Sequence, residues 1–162
     1  MTPERLQLVR ASWRLLEPDA AAAAVSFYDK LFEIDPAARA LFTATDMSAQ
    51  RTKLIRMLTA IVDATEDDAK LVGMLAQLGR RHANHDVRDA DYDAVGASLL
   101  WMLECSLDDR FTPEVRDAWA EIYRLIAGIM RRAGDRERAE RAASASMRSV
   151  GGSIPIAKTR GA

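Results

Sequence analysis

At 162 residues and 17.9 kDa the chain has the length of one domain with a single substantial core. Its 23 Lys and Arg nearly balance 24 Asp and Glu, for a formal charge of -1, which provides no overall pull toward nucleic acid or anionic lipid. The start, Met1-Thr2-Pro3-Glu4-Arg5, has no basic and apolar leader, and no apolar run approaches the roughly 18 residues of a bilayer span. A cytoplasmic protein with no nucleic-acid partner and no membrane span is the expectation. The lone Cys105 cannot form an internal disulfide or a paired-thiolate metal site and reads as core filling on a helix.

Ala, Leu, Arg, Glu and Met are abundant and β-branched alternation is nearly absent, which predicts an all-α domain. Thr2-Pro3, Glu17-Pro18, Asp35-Pro36 and Thr112-Pro113 each set a proline just inside a helix start, where its missing N–H costs little. A first helix over 3–16 aligns Leu6, Val9, Trp13 and Leu16. A second over 19–34 carries Val25, Tyr28, Leu31 and Phe32, with Tyr28 in the middle of the inward side. A short piece from Pro36 to Leu41 delivers Phe42 to a polar corner, after which Gln50, Leu54, Met57, Leu58 and Ile61 share one face. Thr65-Glu66-Asp67-Asp68 has the form of a capping box opening the next helix.

After Asp89, a helix with Tyr92, Val95, Leu99, Trp101, Met102, Leu103 and Cys105 is apolar on most sides, which predicts a central, buried element. Gly96 costs that helix about 1 kcal/mol and is accounted for if another helix crosses close by. The last helix, expected over 113–133, presents Val115, Trp119, Ile122, Ile126 and Ile129, with Gly134 as its stop. The charged run 135–140 could prolong it, and 141–162 lacks a periodic apolar face. The division is therefore a domain over 1–134 and a flexible C-terminal tail over 135–162. Trp13, Trp101 and Trp119 read as packing residues.

The chemistry concentrates at Gly79-Arg80-Arg81-His82-Ala83-Asn84-His85-Asp86-Val87. Leu71, Met74, Leu75 and Leu78 lead in helical steps to His82, which places its imidazole at the end of an apolar stripe. A buried imidazole needs partners for both nitrogens: either a metal on one and an acceptor on the other, or main-chain carbonyls in an ordinary core. A metal pair from His82 and His85 with Asp86 is a third arrangement, for which no further nearby cluster completes the shell. If the helices of Gln50 and His82 oppose one another, an amide and an imidazole look across one cavity. That is the layout of a five-coordinate heme site with donors on the gas-binding side.

The run Phe27-Tyr28-Asp29-Lys30-Leu31-Phe32, then Asp35-Pro36, Leu41-Phe42, Gln50-Arg51 with Leu54, Arg81-His82, Tyr92, Val95-Gly96, Leu99-Leu100 and Asp117-Ala118-Trp119 with Tyr123 resembles the globin domain of bacterial flavohemoglobins and single-domain bacterial hemoglobins of the Vitreoscilla type. The resemblance spans roughly residues 5–133 in order. It implies a globin fold of about six to seven helices around heme b (iron protoporphyrin IX). His82 is then the proximal iron ligand, Tyr28 the distal donor, Gln50 the distal-helix glutamine, Leu54 the apolar wall and Phe42 the ring packed on the heme. Arg81 takes the place of a basic residue facing a propionate, and Tyr92 matches a tyrosine that contacts the proximal histidine. The family's glutamate late in the final helix falls on Gly134, leaving Asp135 or Glu137 to replace it, and the family's reductase half has no counterpart here.

The function this implies is reversible binding of O2, for storage, delivery or buffering, with NO and CO as further gas ligands. Two alternatives stand beside it. A nitric oxide dioxygenase would depend on a separate flavin reductase as partner, and a gas-sensing or interaction module would use the tail.

Overall fold

The computed structural model describes residues 1–85 and 87–150. Among them it forms α1 (Pro3–Leu16), α2 (Ala20–Ile34), α3 (Met47–Ala64), α4 (Asp68–Ala83), α5 (Asp89–Leu107) and α6 (Pro113–Val150), with 3-10 turns at Glu17–Asp19, Pro36–Phe42 and Asp108–Arg110, and no strand. The proline starts are capped as their sequence suggests. The Thr2 hydroxyl accepts from the Arg5 N–H, the Asp35 carboxylate from the N–H groups of Ala37 and Ala38, and the Thr112 hydroxyl from the Val115 N–H. Each satisfies donors that a helix end leaves open.

Asp46 opens α3 by accepting from the N–H groups of Ser48 and Ala49, so Gln50 lies a full turn inside the helix. Thr65 does not open α4. It closes α3, donating its hydroxyl to the Val62 carbonyl at 2.6 Å, and the cap of α4 is Asp67, whose carboxylate accepts the Lys70 N–H at 3.0 Å. Adjacent hydroxyl and acid caps compete at such a boundary, and the buried Thr65 is held on the α3 side by Arg10.

Gly134 is not a stop. A glycine that ends a helix does so by adopting left-handed φ, and no glycine among the described residues has a positive φ. Gly134 is instead buried in a continuing helix, with the Gly79 carbonyl oxygen 3.4 Å from where its Cβ would be. α6 runs on to Val150, exposed from Ala139 through Arg148. The part of the expected tail over 151–162 lies outside the described residues.

The core joins α1, α5 and α6 at one end. Trp13 and Trp119 pack with ring centroids 6.1 Å apart, and the indole N–H of Trp119 donates to the Ser12 hydroxyl at 2.9 Å. Ser12 in turn donates to the Leu8 carbonyl, so this buried polar group is satisfied. Trp101 and Cys105 depart from expectation. Trp101 is 42% exposed with the Lys30 ammonium 4.4 Å from its ring centroid, and Cys105 is exposed. Both lie on the outer face of α5, whose inner faces, carrying Leu99, Met102 and Leu103, are buried.

At the other end α2 packs chiefly on α5, and α4 chiefly on α6. The second crossing is backbone against backbone. A Cβ at Gly79 would stand 2.3 Å from the Met130 carbonyl oxygen, so only glycine allows α4 to approach α6 this closely.

Candidate functional site

Between these layers lies a cavity of about 350 Å³, within the usual size range of cofactor pockets. α2 lines it with Phe27, Tyr28 and Leu31, the following turn with Phe42, and α3 with Gln50, Lys53, Leu54, Met57, Leu58 and Ile61. α4 contributes Leu78 and His82, α5 Asp91, Tyr92, Val95 and Leu99, and α6 Trp119, Tyr123, Ile126, Ala127 and Met130. Of the seven site residues singled out in the sequence, six meet on this wall: Tyr28, Phe42, Gln50, Leu54, His82 and Tyr92. Arg81 does not. It is exposed at the end of α4, and the cation that lines the cavity is Lys53. Its position, three residues after Gln50 and next to Leu54, was available as a sequence signal.

His82 is half-buried, and its Nδ1 lies 2.9 Å from the Leu78 carbonyl oxygen. A carbonyl can only accept, so Nδ1 carries the proton and Nε2 of the neutral ring carries a lone pair. Burial lowers the imidazole pKa below its ordinary value; the Leu78 carbonyl opposes that shift and His85 adds to it. The ring is thus held neutral, in one tautomer, with one basic nitrogen uncommitted. This carbonyl takes the second-atom role that the resemblance gives to Tyr92, which lines the cavity without a side-chain hydrogen bond to His82 among the described residues.

On the same cavity Tyr28 is 5% exposed within a cluster of rings. Its centroid lies 5.1 Å from Phe27, 5.9 Å from Phe32 and 5.6 Å from Phe42. Burial raises the phenol pKa, against which Gln50, beside the hydroxyl, and the Arg51 charge pull in the other direction. The hydroxyl therefore remains a proton donor.

Neither acid expected near Gly134 reaches the histidine. Asp135 accepts from Arg138 at 2.7 Å and Glu137 from Arg141 at 3.1 Å. Asp91, which sequence reasoning passed over, lines the cavity and is buried. It accepts the Arg88 N–H at 2.7 Å and, on its other oxygen, the Arg88 guanidinium, while Arg88 also reaches Asp35 at 3.2 Å. Burial alone would raise the Asp91 pKa, but the bonds to Arg88 outweigh it and hold the acid below its ordinary value. A depressed carboxylate pKa stabilises the fold above the unfolded value, and the contribution is lost as pH falls through the folded one. Asp91→Ala is therefore expected to cost about 1 to 2 kcal/mol in urea unfolding at neutral pH. The difference from the wild type should narrow below about pH 4.

The residues fit an iron porphyrin. The cavity is apolar, one neutral imidazole presents a lone pair, and Lys53 and Arg51 supply positive charge suited to propionates. No three-residue His, Cys, Asp or Glu cluster able to hold a bare metal ion exists among the described residues, and Asp86, of the proposed His82 and His85 group, lies outside them.

The class these features define is an all-helical domain with a half-buried imidazole on an apolar cavity. The model of the Globin family matches residues 25–130, and the chain belongs to the globin family. It is 31% identical over 137 residues to a neuroglobin of Chaenocephalus aceratus, covering 76% of this chain and 86% of that protein. Neuroglobin-1 of Oncorhynchus mykiss is 29% identical over 145 residues, covering 82% and 91%. A crystal structure described as a hexacoordinated heme protein from an anhydrobiotic tardigrade superposes with TM-score 0.76 at 16% identity, over 83% of this chain and 96% of that one. These matches support the globin assignment. The two relatives named above are vertebrate neuroglobins, in place of the bacterial hemoglobins suggested by the motifs. No helix among the described residues is long and apolar enough to cross a membrane.

Proposed function

We propose that this globin binds heme b through His82 Nε2 and reversibly holds a diatomic gas, O2 foremost, beside Tyr28 and Gln50. The observation that carries the reading is the His82 ring, whose Nδ1 is tied to the Leu78 carbonyl while Nε2 is left uncommitted on a cavity shared with Tyr28 and Gln50. Heme held by His82 would supply the iron at which O2, CO or NO binds. The protein's part is to orient the imidazole, to exclude water with Phe42, Leu54 and Leu58, and to offer the phenol and amide as hydrogen-bond donors. Lys53 and Arg51 are the cations available to propionates.

A hexacoordinate state, in which a protein side chain takes the sixth position, is suggested by the description of the tardigrade protein. Both histidines of this chain lie at 82 and 85, so the side chains on the cavity able to take that place are Lys53, Met57 and Gln50 of α3 and Tyr28 of α2.

The test is the absorption spectrum of the hemin-loaded protein in its ferric, ferrous and CO forms. A five-coordinate ferrous spectrum supports the open site, a six-coordinate one the internal ligand, and no Soret shift on adding hemin overturns both. Tyr28→Phe should speed O2 release by roughly fivefold to a hundredfold, as loss of a buried hydrogen bond worth about 1 to 3 kcal/mol requires. An unaltered release rate in stopped flow would remove the phenol from its role.

A further inference from the structure

On the outer side of the cavity wall a crevice of about 320 Å³ opens between α5 and α6. Gly96, Ala97, Leu100, Ala120 and Gly128 line it, and these side chains have no donor or acceptor. Of the three charged residues on it, Arg131 donates to the Asp93 carboxylate at 2.7 Å and Arg124 to the Ala120 carbonyl at 3.1 Å. Two residues line both the crevice and the inner cavity: Tyr123 and Ala127. Ala127 offers only a methyl group, so the Tyr123 ring is the larger part of the partition.

That ring is seated with little slack. A Cβ at Gly96 would stand 2.4 Å from the Tyr123 Cε1, so the glycine in the middle of α5 exists to receive a side chain of α6. The Tyr123 hydroxyl donates to the main-chain carbonyl of Tyr92. Burial raises the phenol pKa, so this donor keeps its proton at neutral pH.

We propose that Tyr123 gates a second, lateral passage through which a diatomic gas moves between solvent and the cavity, by way of the crevice between α5 and α6. The passage rests on the gas-binding reading above. The partition is one aromatic ring held by one hydrogen bond, and the Tyr92 carbonyl it releases remains within the α5 ladder. Swinging the ring costs little more than that bond and its packing. The charged residues Asp93, Arg124 and Arg131 also line the crevice, while Gly96, Ala97, Leu100, Ala120 and Gly128 give it an apolar strip along which a small, weakly polar molecule can move.

Flash photolysis of the CO form of the hemin-loaded full chain tests this. Tyr123→Phe keeps the ring and removes the latch, and bimolecular CO entry should rise roughly fivefold, the factor one net hydrogen bond lends to an opening equilibrium. Rapid geminate rebinding should fall in the same variant. Adding Ala97→Phe, at an exposed position on the crevice, should return both toward wild-type values. Unchanged kinetics in Tyr123→Phe, or a gain that persists when Ala97→Phe blocks the crevice, overturns the gate while leaving gas binding intact. If the protein takes up no heme, the gas-binding reading fails separately. Xenon-pressurised crystals of the apoprotein then decide the passage: density between Gly96, Ala97 and Ala120 supports it, and its absence rejects it.

Discussion

His82→Ala is expected to lose stoichiometric heme retention, with the Soret band of a hemin-loaded sample decaying to that of free hemin on desalting. The His82 Nδ1 is already committed to the Leu78 carbonyl, and His85 is exposed beyond the end of α4 and does not line the cavity. No other imidazole exists in the chain, so the alanine variant has no replacement on the α4 side. Apolar contacts with Leu54, Leu78, Val95 and Ile126 should still allow weak hemin uptake, so affinity is expected to fall by at least about a hundredfold rather than vanish. Added imidazole should restore the spectrum in His82→Gly, where the missing ring leaves space for it. A His82→Ala protein that holds heme as firmly as the wild type would return His82 to the status of an ordinary core histidine bonded to a carbonyl.

The second large effect is expected at Gly79, three residues before His82. In Gly79→Ala the new methyl would meet the Met130 carbonyl oxygen at 2.3 Å, its Cα at 2.7 Å and its carbonyl carbon at 2.9 Å. All three are backbone atoms, so no rotamer change relieves the clash and the helices must separate. Overpacking of this kind costs about 1 to 3 kcal/mol or more, against a gain of about 1 kcal/mol for alanine over glycine within a helix. The net result should be a lower urea midpoint and faster heme loss, because α4 carries the imidazole. Gly73→Ala is the control on the same helix. Nothing lies within 4 Å of its Cβ, so the propensity gain stands alone and the protein should become more stable by about 1 kcal/mol. Equal responses at the two glycines would contradict the tight crossing.

Much of this was legible beforehand, for reasons particular to each residue. Tyr28 and His82 stand out because each interrupts an apolar stripe, and a buried polar group needs a partner. The proline starts were legible because proline and its capping neighbour act within one turn. Thr65 is ambiguous in the sequence because a hydroxyl can cap either of two adjoining helices, and its contact with Arg10, 55 residues away, selects between them. Gly134 was misread for a similar reason: a glycine after an apolar stripe is either a stop or a contact, and only its neighbours on α4 distinguish them. Cys105 and Trp101 were placed in the core because a helix apolar on most sides leaves no sequence signal for its outer face. Asp91 carries no sequence signal of this kind, because nothing local shows which residues reach a shared space.

By itself the sequence determined the all-helical class, the proline-capped starts and the presence of an inward phenol and imidazole, since all of these depend on spacing within a helix. Tertiary structure alone decided that Tyr28 and His82 border one cavity, that Leu78 selects the imidazole tautomer, that Lys53 is the cation on its wall, and that Gly79 and Gly134 bring α4 against α6. Helical periodicity fixes which face a side chain occupies. Which faces meet is settled by packing between segments tens of residues apart, whose steric fit leaves no periodic trace in either segment alone.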